Sequence, residues 1–352
     1  MKPLSVVFAV PGDINSLTGG TIYDRRVLAL LPSQGIDATL CVLPASFPFP
    51  SAADLAQTQS LLARAGPDAI LLVDGLAWGA LPPDLATSLG PGVVALCHHP
   101  LGLEAGLSAE QSARFIANEK QTLAAANHVI VTSAATAATL RRDFAVASER
   151  ITVAEPGIDA APRAQGSEGA PHLLTIGSII PRKGYDVLID ALAGLKDHDW
   201  RLTIVGSPKR APETAQALVQ QIAKAGLDER VSFAGELADD ALEAAYGGAD
   251  IFVMASHYEG YGMALAEAMA HGLPIVTTTG GAVADTVPDG AGLKVPPGKA
   301  TALADALRTA IVDRQRRNEI AEASWQAGQK LRRWEETTGI IAGVLRRVAE
   351  RR

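Results

Sequence analysis

Two carboxylates, Glu259 and Glu267, bracket seven residues in the stretch EGYGMALAEAMAHGLP (259–274), which is otherwise small and apolar. Propensity predicts a helix from about Gly262 to His271, stopped by Gly272 with Pro274 just beyond. A helix built for packing alone would place Leu or Ala at 267. A carboxylate there can instead accept hydrogen bonds from paired hydroxyls if it faces a cleft. A second polar group stands in LLTIGSIIPRKGYDVLIDAL (173–192), where Arg182 and Lys183 occupy a Pro/Gly-flanked loop between a buried strand and an amphipathic helix. Cations in such a loop suit a diphosphate, Lys183 as a point charge and Arg182 as a fork. Taken alone, the loop reads equally as a solvated basic turn.

Two weaker features precede these. His98 and His99 close the apolar run GVVALC, and consecutive side chains at a strand end point to opposite faces, so no more than one of them is expected to face a cleft. A functional pair and a pair of satisfied packing groups stand at even odds. Metal ligation is disfavoured, because no His or Cys partner lies at a suitable local spacing. The loop PGDINSLTGGTIYDRR opens a helix near Thr21, and Gly19 and Gly20 would let backbone amides approach an oxyanion there; an ordinary strand-to-helix turn fits equally.

The elements that position these groups alternate along the chain. Six short β-branched runs, LSVVFAV, DATLCVLP, AILLVDG, GVVALCHH, HVIVTS and ITVAEPG, are separated by longer Ala/Leu-rich amphipathic stretches. A second series follows: HLLTIGS, RLTIVGS, RVSFAGE, ADIFVMAS, LPIVTTT and AGLKVPP. This is the pattern of βαβ units on parallel sheets, and two such series predict two doubly wound α/β domains. The length of 352 residues agrees, since single cores stop growing well before it. DAAPRAQGSEGAPH (159–172) lacks apolar periodicity and reads as the linker, and WEETTGIIAGVLRRVAERR reads as a terminal amphipathic helix. The expected division is a first domain at 1–160, a linker at 161–172, a second domain at 173–332 and a final helix at 333–352.

Composition narrows the function. A formal net charge of -7 and 20% charged residues argue against a nucleic-acid partner. No run approaches the length of a membrane span, the opening MKPLSVVFAVPGD breaks at Pro11 without a cleavage site, and Cys41 and Cys97 have no metal-binding spacing; the expectation is a cytoplasmic protein with no integral membrane association. The first loop is not GxGxxG, the second strand has its acid at the start and not the end, and no Walker pattern occurs, so a nicotinamide or P-loop enzyme is disfavoured.

The spacing Glu259-x7-Glu267 within SHYEGYGMALAEAMAHGLPIV, preceded by ADIFVMAS and combined with GSIIPRKG, resembles the retaining glycosyltransferase family 4, group 1 enzymes of the GT-B architecture. The resemblance runs from the N-terminal double glycine to the final helix, and its motifs are more specific in the second half. It implies two Rossmann-like domains facing a central cleft, with the terminal helix returning to the first. It also implies a nucleotide-diphosphate sugar as co-substrate, an acceptor in the first domain, and neither metal nor further cofactor. Glu267 then meets the ribose hydroxyls and Glu259 the donor sugar, with Gly260, Tyr261, Gly262, Met263 and Ala264 around sugar or phosphate oxygens at the helix N-terminus. Lys183 and Arg182 meet the diphosphate, His98 the donor sugar with His99 as the register alternative, Gly19 and Gly20 the acceptor side, and Glu236 and Leu237 the base edge. UDP is favoured over GDP or ADP. Where many relatives carry Arg after the glycine matching Gly177, this chain has Ser178. Asp197 to Asp199 spells DxD, but between a helix and WRLTIVGS it reads as a surface turn.

The acceptor leaves little trace. Residues 1–165 hold 10 Lys or Arg against 14 Asp or Glu, a balance of -4, which favours a soluble small molecule, a pterin among the options, over a glycan or lipid-linked sugar at an anionic surface. Two other readings stand beside transfer: a catalytically silent nucleotide-sugar-binding scaffold, and another GT-B enzyme such as a nucleotide-sugar epimerase. The oligomeric state is unspecified by the sequence.

Overall fold

The structure, a computed structural model, describes residues 3–66 and 68–352. The chain divides into two compact units, Met1–Gly157 with Arg332–Arg352, and Ile158–Leu331. All twelve strand-like runs are strands.

In the first unit these are β1 (Leu4–Pro11), β2 (Ile36–Leu43), β3 (Ile70–Asp74), β4 (Val93–Cys97), β5 (His128–Val131) and β6 (Ile151–Val153). They form one parallel sheet in the order β2-β1-β3-β4-β5-β6. The central strands β3 and β4 are buried at every position, which is why their sequences ILLVD and VVALC do not alternate. Chain direction across the sheet reverses between β1 and β3, and ligand crevices in open α/β sheets form beyond the carboxyl ends of strands at such a point. The helix after β1 runs Gly19–Leu30, two residues earlier than expected, because Thr18 caps it: Thr18 Oγ1 accepts from Thr21 N while the Thr21 hydroxyl accepts from Thr18 N.

The terminal helix, Trp334–Glu350, belongs to this unit. Its apolar stripe, Trp334, Ile341, Val344, Leu345 and Val348, is buried, and Tyr23 meets the Trp334 ring edge-on at 5.7 Å. Thr337 Oγ1 donates to the Glu155 carbonyl at 2.7 Å. The helix therefore returns to the first sheet's unit, as expected.

The second unit contains β7 (His172–Ile176), β8 (Arg201–Val205), β9 (Val231–Gly235), β10 (Ile251–Met254), β11 (Ile275–Thr278) and β12 (Gly292–Val295). They also form a parallel sheet, in the order β12-β11-β10-β7-β8-β9. The order reverses between β7 and β10, the two strands that feed the PRKG and EGYG loops. The helix predicted at about Gly262 to His271 spans Met263–Ala270, with Gly262 before it and His271 closing it.

One boundary differs from the expectation. The segment 161–172 is not a tether but part of the second unit: Ala164 N donates to the His271 carbonyl, and Gln165 and Gly166 both donate to Gly247 O. Asp250 accepts from the Ser167 hydroxyl at 2.5 Å and from His172 N at 2.8 Å. The segment lacks apolar periodicity because polar bonds to distant residues hold it, and these leave no local pattern. The changeovers fall at Gly157/Ile158 and Leu331/Arg332.

Candidate active site

The second unit gathers charge at its switch point. After β7, residues Pro181–Lys183 form one helical turn that ends on Gly184 in the left-handed region (φ 62°). A Cβ at 184 would stand 2.3 Å from the Ala255 carbonyl oxygen, so only glycine lets this loop approach the end of β10. That approach sets Lys183 Nζ 2.8 Å from Glu259 Oε1 and Arg182 Nη1 3.4 Å from Glu259 Oε2. Ser256 Oγ donates to Glu259 Oε1 at 2.6 Å, and Arg182 Nη1 also donates to the Tyr258 carbonyl. Burial works to raise the Glu259 pKa, but the cations and the serine outweigh it and hold the carboxyl at about 2. Glu259 is thus an ion-paired carboxylate that locates both cations. Its backbone is pinned to the next connection, Glu259 N donating to Gly280 O and Ala282 N to Glu259 O.

Eight residues on, Glu267 Oε2 accepts from the Tyr246 hydroxyl at 2.7 Å. Tyr246 is buried and its ring stacks on His271 at 4.8 Å, 13° from parallel. His271 is anchored in turn by the Pro162 carbonyl at 3.0 Å. The rotamer of Glu267 is therefore set by a polar chain through the unit's core. Gly262 (φ 94°) swings the chain into the helix, whose first amides, those of Met263 and Ala264, point beyond its N-terminus. Tyr261 is buried and its carbonyl accepts from Thr286, so residue 261 contributes backbone geometry, not an exposed ring. Gly260, Met263 and Ala264 are half-buried beside it. Glu236 is exposed just past β9, and Leu237 packs partly on the same core as the Met263–Ala270 helix. Ser178 is half-buried after β7, whereas Asp197 and Asp199 are exposed in the turn before β8.

In the first unit, His98 and His99 split as strand alternation requires. His98 Nε2 lies 2.9 Å from Asp24 Oδ1 and 3.3 Å from Asp74 Oδ2, while His99 Nε2 lies 3.7 Å from Glu104. Asp24 sits in the second turn of the Gly19–Leu30 helix and Asp74 ends β3, so helix, β3 and β4 converge on one imidazole. Gly20 passes over the His98 ring, where a Cβ would touch Cδ2 at 3.4 Å; Gly19 is exposed at the helix start. Burial disfavours the charged forms, yet the two aspartates push His98 up to about 10; burial and Asp74 push Asp24 up to about 7. Among the described residues, only this trio brings three ligating atoms within 4.8 Å of one another. The Asp24 contact has the length of a hydrogen bond to a ring N–H, whereas Asp74 at 3.3 Å is a longer ion-pair contact.

Sequence reading missed Asp24, Asp74, Tyr246 and Ser256. A signal existed for the first: Gly20, Asp24 and Val27 share one helical face, so the carboxylate lies on the stripe that must be buried. Nothing local marks Tyr246, which reaches Glu267 from a different helix.

Two parallel six-stranded sheets, each with its polar groups beyond the carboxyl ends at a switch point and with a final helix returned to the first, define the GT-B class of architecture. The solved sucrose-phosphate synthase from Thermosynechococcus elongatus superposes with a TM-score of 0.85 at 21% identity over 99% of this chain and 100% of that one. Anabaena Alr3699/HepE in complex with UDP-glucose gives 0.76 at 19% identity, covering 98% and 100%. Residues 27–161 match Glycosyltransferase Family 4 and residues 158–326 match Glycosyl transferases group 1, and the chain belongs to this family. It is 33% identical over 215 residues to a D-inositol 3-phosphate glycosyltransferase of Nocardia farcinica, a match covering 56% of this chain and 48% of that protein. The chain thus spans about half the length of that curated relative.

Proposed function

We propose that the protein is a retaining, metal-independent glycosyltransferase that moves a hexose from a nucleotide-diphosphate sugar to an acceptor hydroxyl. The observation that carries this reading is the Lys183–Glu259–Arg182 group at the second switch point, a buried carboxylate pairing two half-buried cations. Two cations held by one carboxylate form a preorganised seat for a diphosphate, and Glu267, fixed by Tyr246, is a hydroxyl acceptor suited to ribose. As the bond to the anomeric carbon breaks, negative charge grows on the leaving diphosphate, where Lys183 and Arg182 stabilise it. Removing one such group typically costs about 3 kcal/mol. A double displacement needs a carboxylate nucleophile, and Glu259 is poorly suited while it neutralises two cations; same-face displacement is the reading adopted. Gly260 to Ala264 then offer helix N-terminal amides to the donor, and Glu236 and Leu237 flank its base.

A uridine donor is preferred, supported by the complex that the Anabaena neighbour forms with UDP-glucose. The acceptor is assigned to the first unit, with His98 contacting the donor sugar and Gly19 and Gly20 on the acceptor side. Within the first unit, which leaves β6 as far as Gly157, the connections after β1 to β6 carry Asp13, Glu104 and Glu155 and no lysine or arginine. That balance suits an uncharged small molecule, such as a pterin, better than a phosphate ester like the inositol phosphate named for the Nocardia relative. A cytoplasmic enzyme fits this acceptor, and no helix among the described residues is long and apolar enough to cross a membrane.

The test is a thermal-shift screen of UDP-, GDP- and ADP-sugars on the wild type and on Glu267→Ala. A ligand at about 100 times its Kd adds roughly 2.7 kcal/mol of stability. Stabilisation by one nucleotide class that Glu267→Ala loses supports the reading, and acceptor-dependent release of the nucleotide completes it. A donor converted without acceptor indicates an epimerase; binding without turnover under any acceptor indicates a scaffold.

A further inference from the structure

Asp24 has no role in the transfer reaction as proposed, yet it is among the least exposed polar residues of the chain, at 1%. A carboxylate on the buried face of a helix is costly unless a specific partner compensates it. That partner is His98 Nε2 at 2.9 Å. The second acceptor at this nitrogen, Asp74 Oδ2 at 3.3 Å, is itself fixed because Asp74 Oδ1 accepts from Leu76 N at 2.8 Å. While both carboxylates are ionised they can only accept, so the ring nitrogen between them carries the proton.

The ring has little freedom to turn. Gly20 lies over Cδ2, and Tyr23 meets the imidazole edge-on at 5.2 Å and 80°. Tyr23 is pinned by its hydroxyl, which donates to the Ala154 carbonyl at 2.9 Å. From the next strand's end, Thr132 Oγ1 donates to the His98 carbonyl at 3.3 Å. The groups facing the imidazole are thus Asp24 and Tyr23 from the helix after β1 and Asp74 from the end of β3, with Thr132 behind its backbone.

We infer that Asp24 is a positioning residue: it holds the Nε2 proton of His98, with Asp74 as a secondary acceptor, and so makes Nδ1 the nitrogen offered to the ligand. This rests on the glycosyl-transfer reading only for what the ligand is. With Asp24 ionised, the ring is kept as imidazolium and Nδ1–H is a donor to a sugar or phosphate oxygen. With Asp24 neutralised by mutation, burial returns the ring to its uncharged form, and Nδ1 becomes an acceptor facing an oxygen that needs a donor.

The experiment is an imidazole NMR titration of the full chain, with His98 assigned by the signal lost in His98→Gln, on the wild type and Asp24→Asn. The wild-type ring is expected to stay protonated past about pH 8, well above an ordinary histidine. In Asp24→Asn its midpoint falls by at least about one pH unit, and kcat falls roughly tenfold between about pH 8 and pH 9, above the Asp24 transition, where the wild type changes little, with donor KM nearly unchanged. An ordinary wild-type midpoint overturns the inference without any variant needing to fold. So does an unchanged midpoint in Asp24→Asn, or a saturable shift of the His98 signal by added Zn²⁺ or Mn²⁺ that Asp24→Asn abolishes, which would make the trio a cation site. Because the titration needs no turnover, a protein without transferase activity leaves this test intact.

Discussion

Replacing Lys183 by Met removes the cation nearest Glu259 while keeping most of the side-chain volume. Glu259 is 6% exposed, and its carboxyl is held at about 2 against an ordinary 4.5. Such a difference corresponds to on the order of 3 kcal/mol of folding stability at neutral pH. Because the folded-state value is the lower one, this contribution is complete above about pH 4.5 and is lost as pH falls toward 2. In Lys183→Met the carboxylate keeps only Ser256 and the more distant Arg182. The expected loss is about 3 kcal/mol, the low end for stranding a buried charge. For a unit of this size that is a Tm decrease of roughly 6 to 12 °C. Denaturation followed by Trp200 and Trp325 fluorescence reports on the second unit, where both tryptophans lie. The double variant Lys183→Met/Glu259→Gln should recover most of the loss, since it removes both charges. A single variant within about 0.5 kcal/mol of wild type at neutral pH, with the acid limb of its stability curve unchanged, would refute the argument.

Three other outcomes follow from the geometry. Tyr246→Phe deletes the hydroxyl on Glu267 and leaves the stack on His271, so donor KM should rise about tenfold with kcat nearly unchanged; steady-state kinetics showing an unaltered KM would remove Tyr246 from the site. Gly184→Ala places a methyl 2.3 Å from the Ala255 carbonyl oxygen at a left-handed position, and should lower stability by about 2 kcal/mol or more together with activity, a loss absent if the loop simply relaxes. Trp334→Ala, at a site 4% exposed in wild type, should cost about 3 to 5 kcal/mol in the first unit and expose the Trp334–Glu350 helix to limited proteolysis, while Trp200 and Trp325 still report a normally melting second unit.

The parts of the site that were legible in sequence are those fixed by local spacing. Lys183 and Arg182 are read from a Pro/Gly-flanked loop between a strand and a helix, and Glu267 from a charge inside an alanine-rich helix. The link between them was not legible. Sequence reading took Glu259 as an acceptor for donor-sugar hydroxyls, whereas the structure couples it to Lys183 and Arg182, both more than 70 residues earlier in the chain. Proposed sugar contacts at Glu259 therefore have to be made by an oxygen already shared with Lys183 or Arg182. The linker shows the same limit, since Ser167 and His172 N are held by Asp250 in a distant turn.

By itself the sequence determined the repeating strand–helix order, the two sheets and the loops that carry chemistry. Hydrophobic periodicity and the φ demands of glycine act within a few residues, so they are written locally. Only the tertiary structure decided which carboxylates meet which cations, that His98 and not His99 turns to Asp24 and Asp74, and that Tyr246 locks Glu267. Strand order brings these groups together: β7 lies beside β10 and β1 beside β3, so residues far apart in the chain share one switch point. A hydrogen bond across such a point depends on ångström-scale placement by two packed elements, which no spacing along one of them encodes.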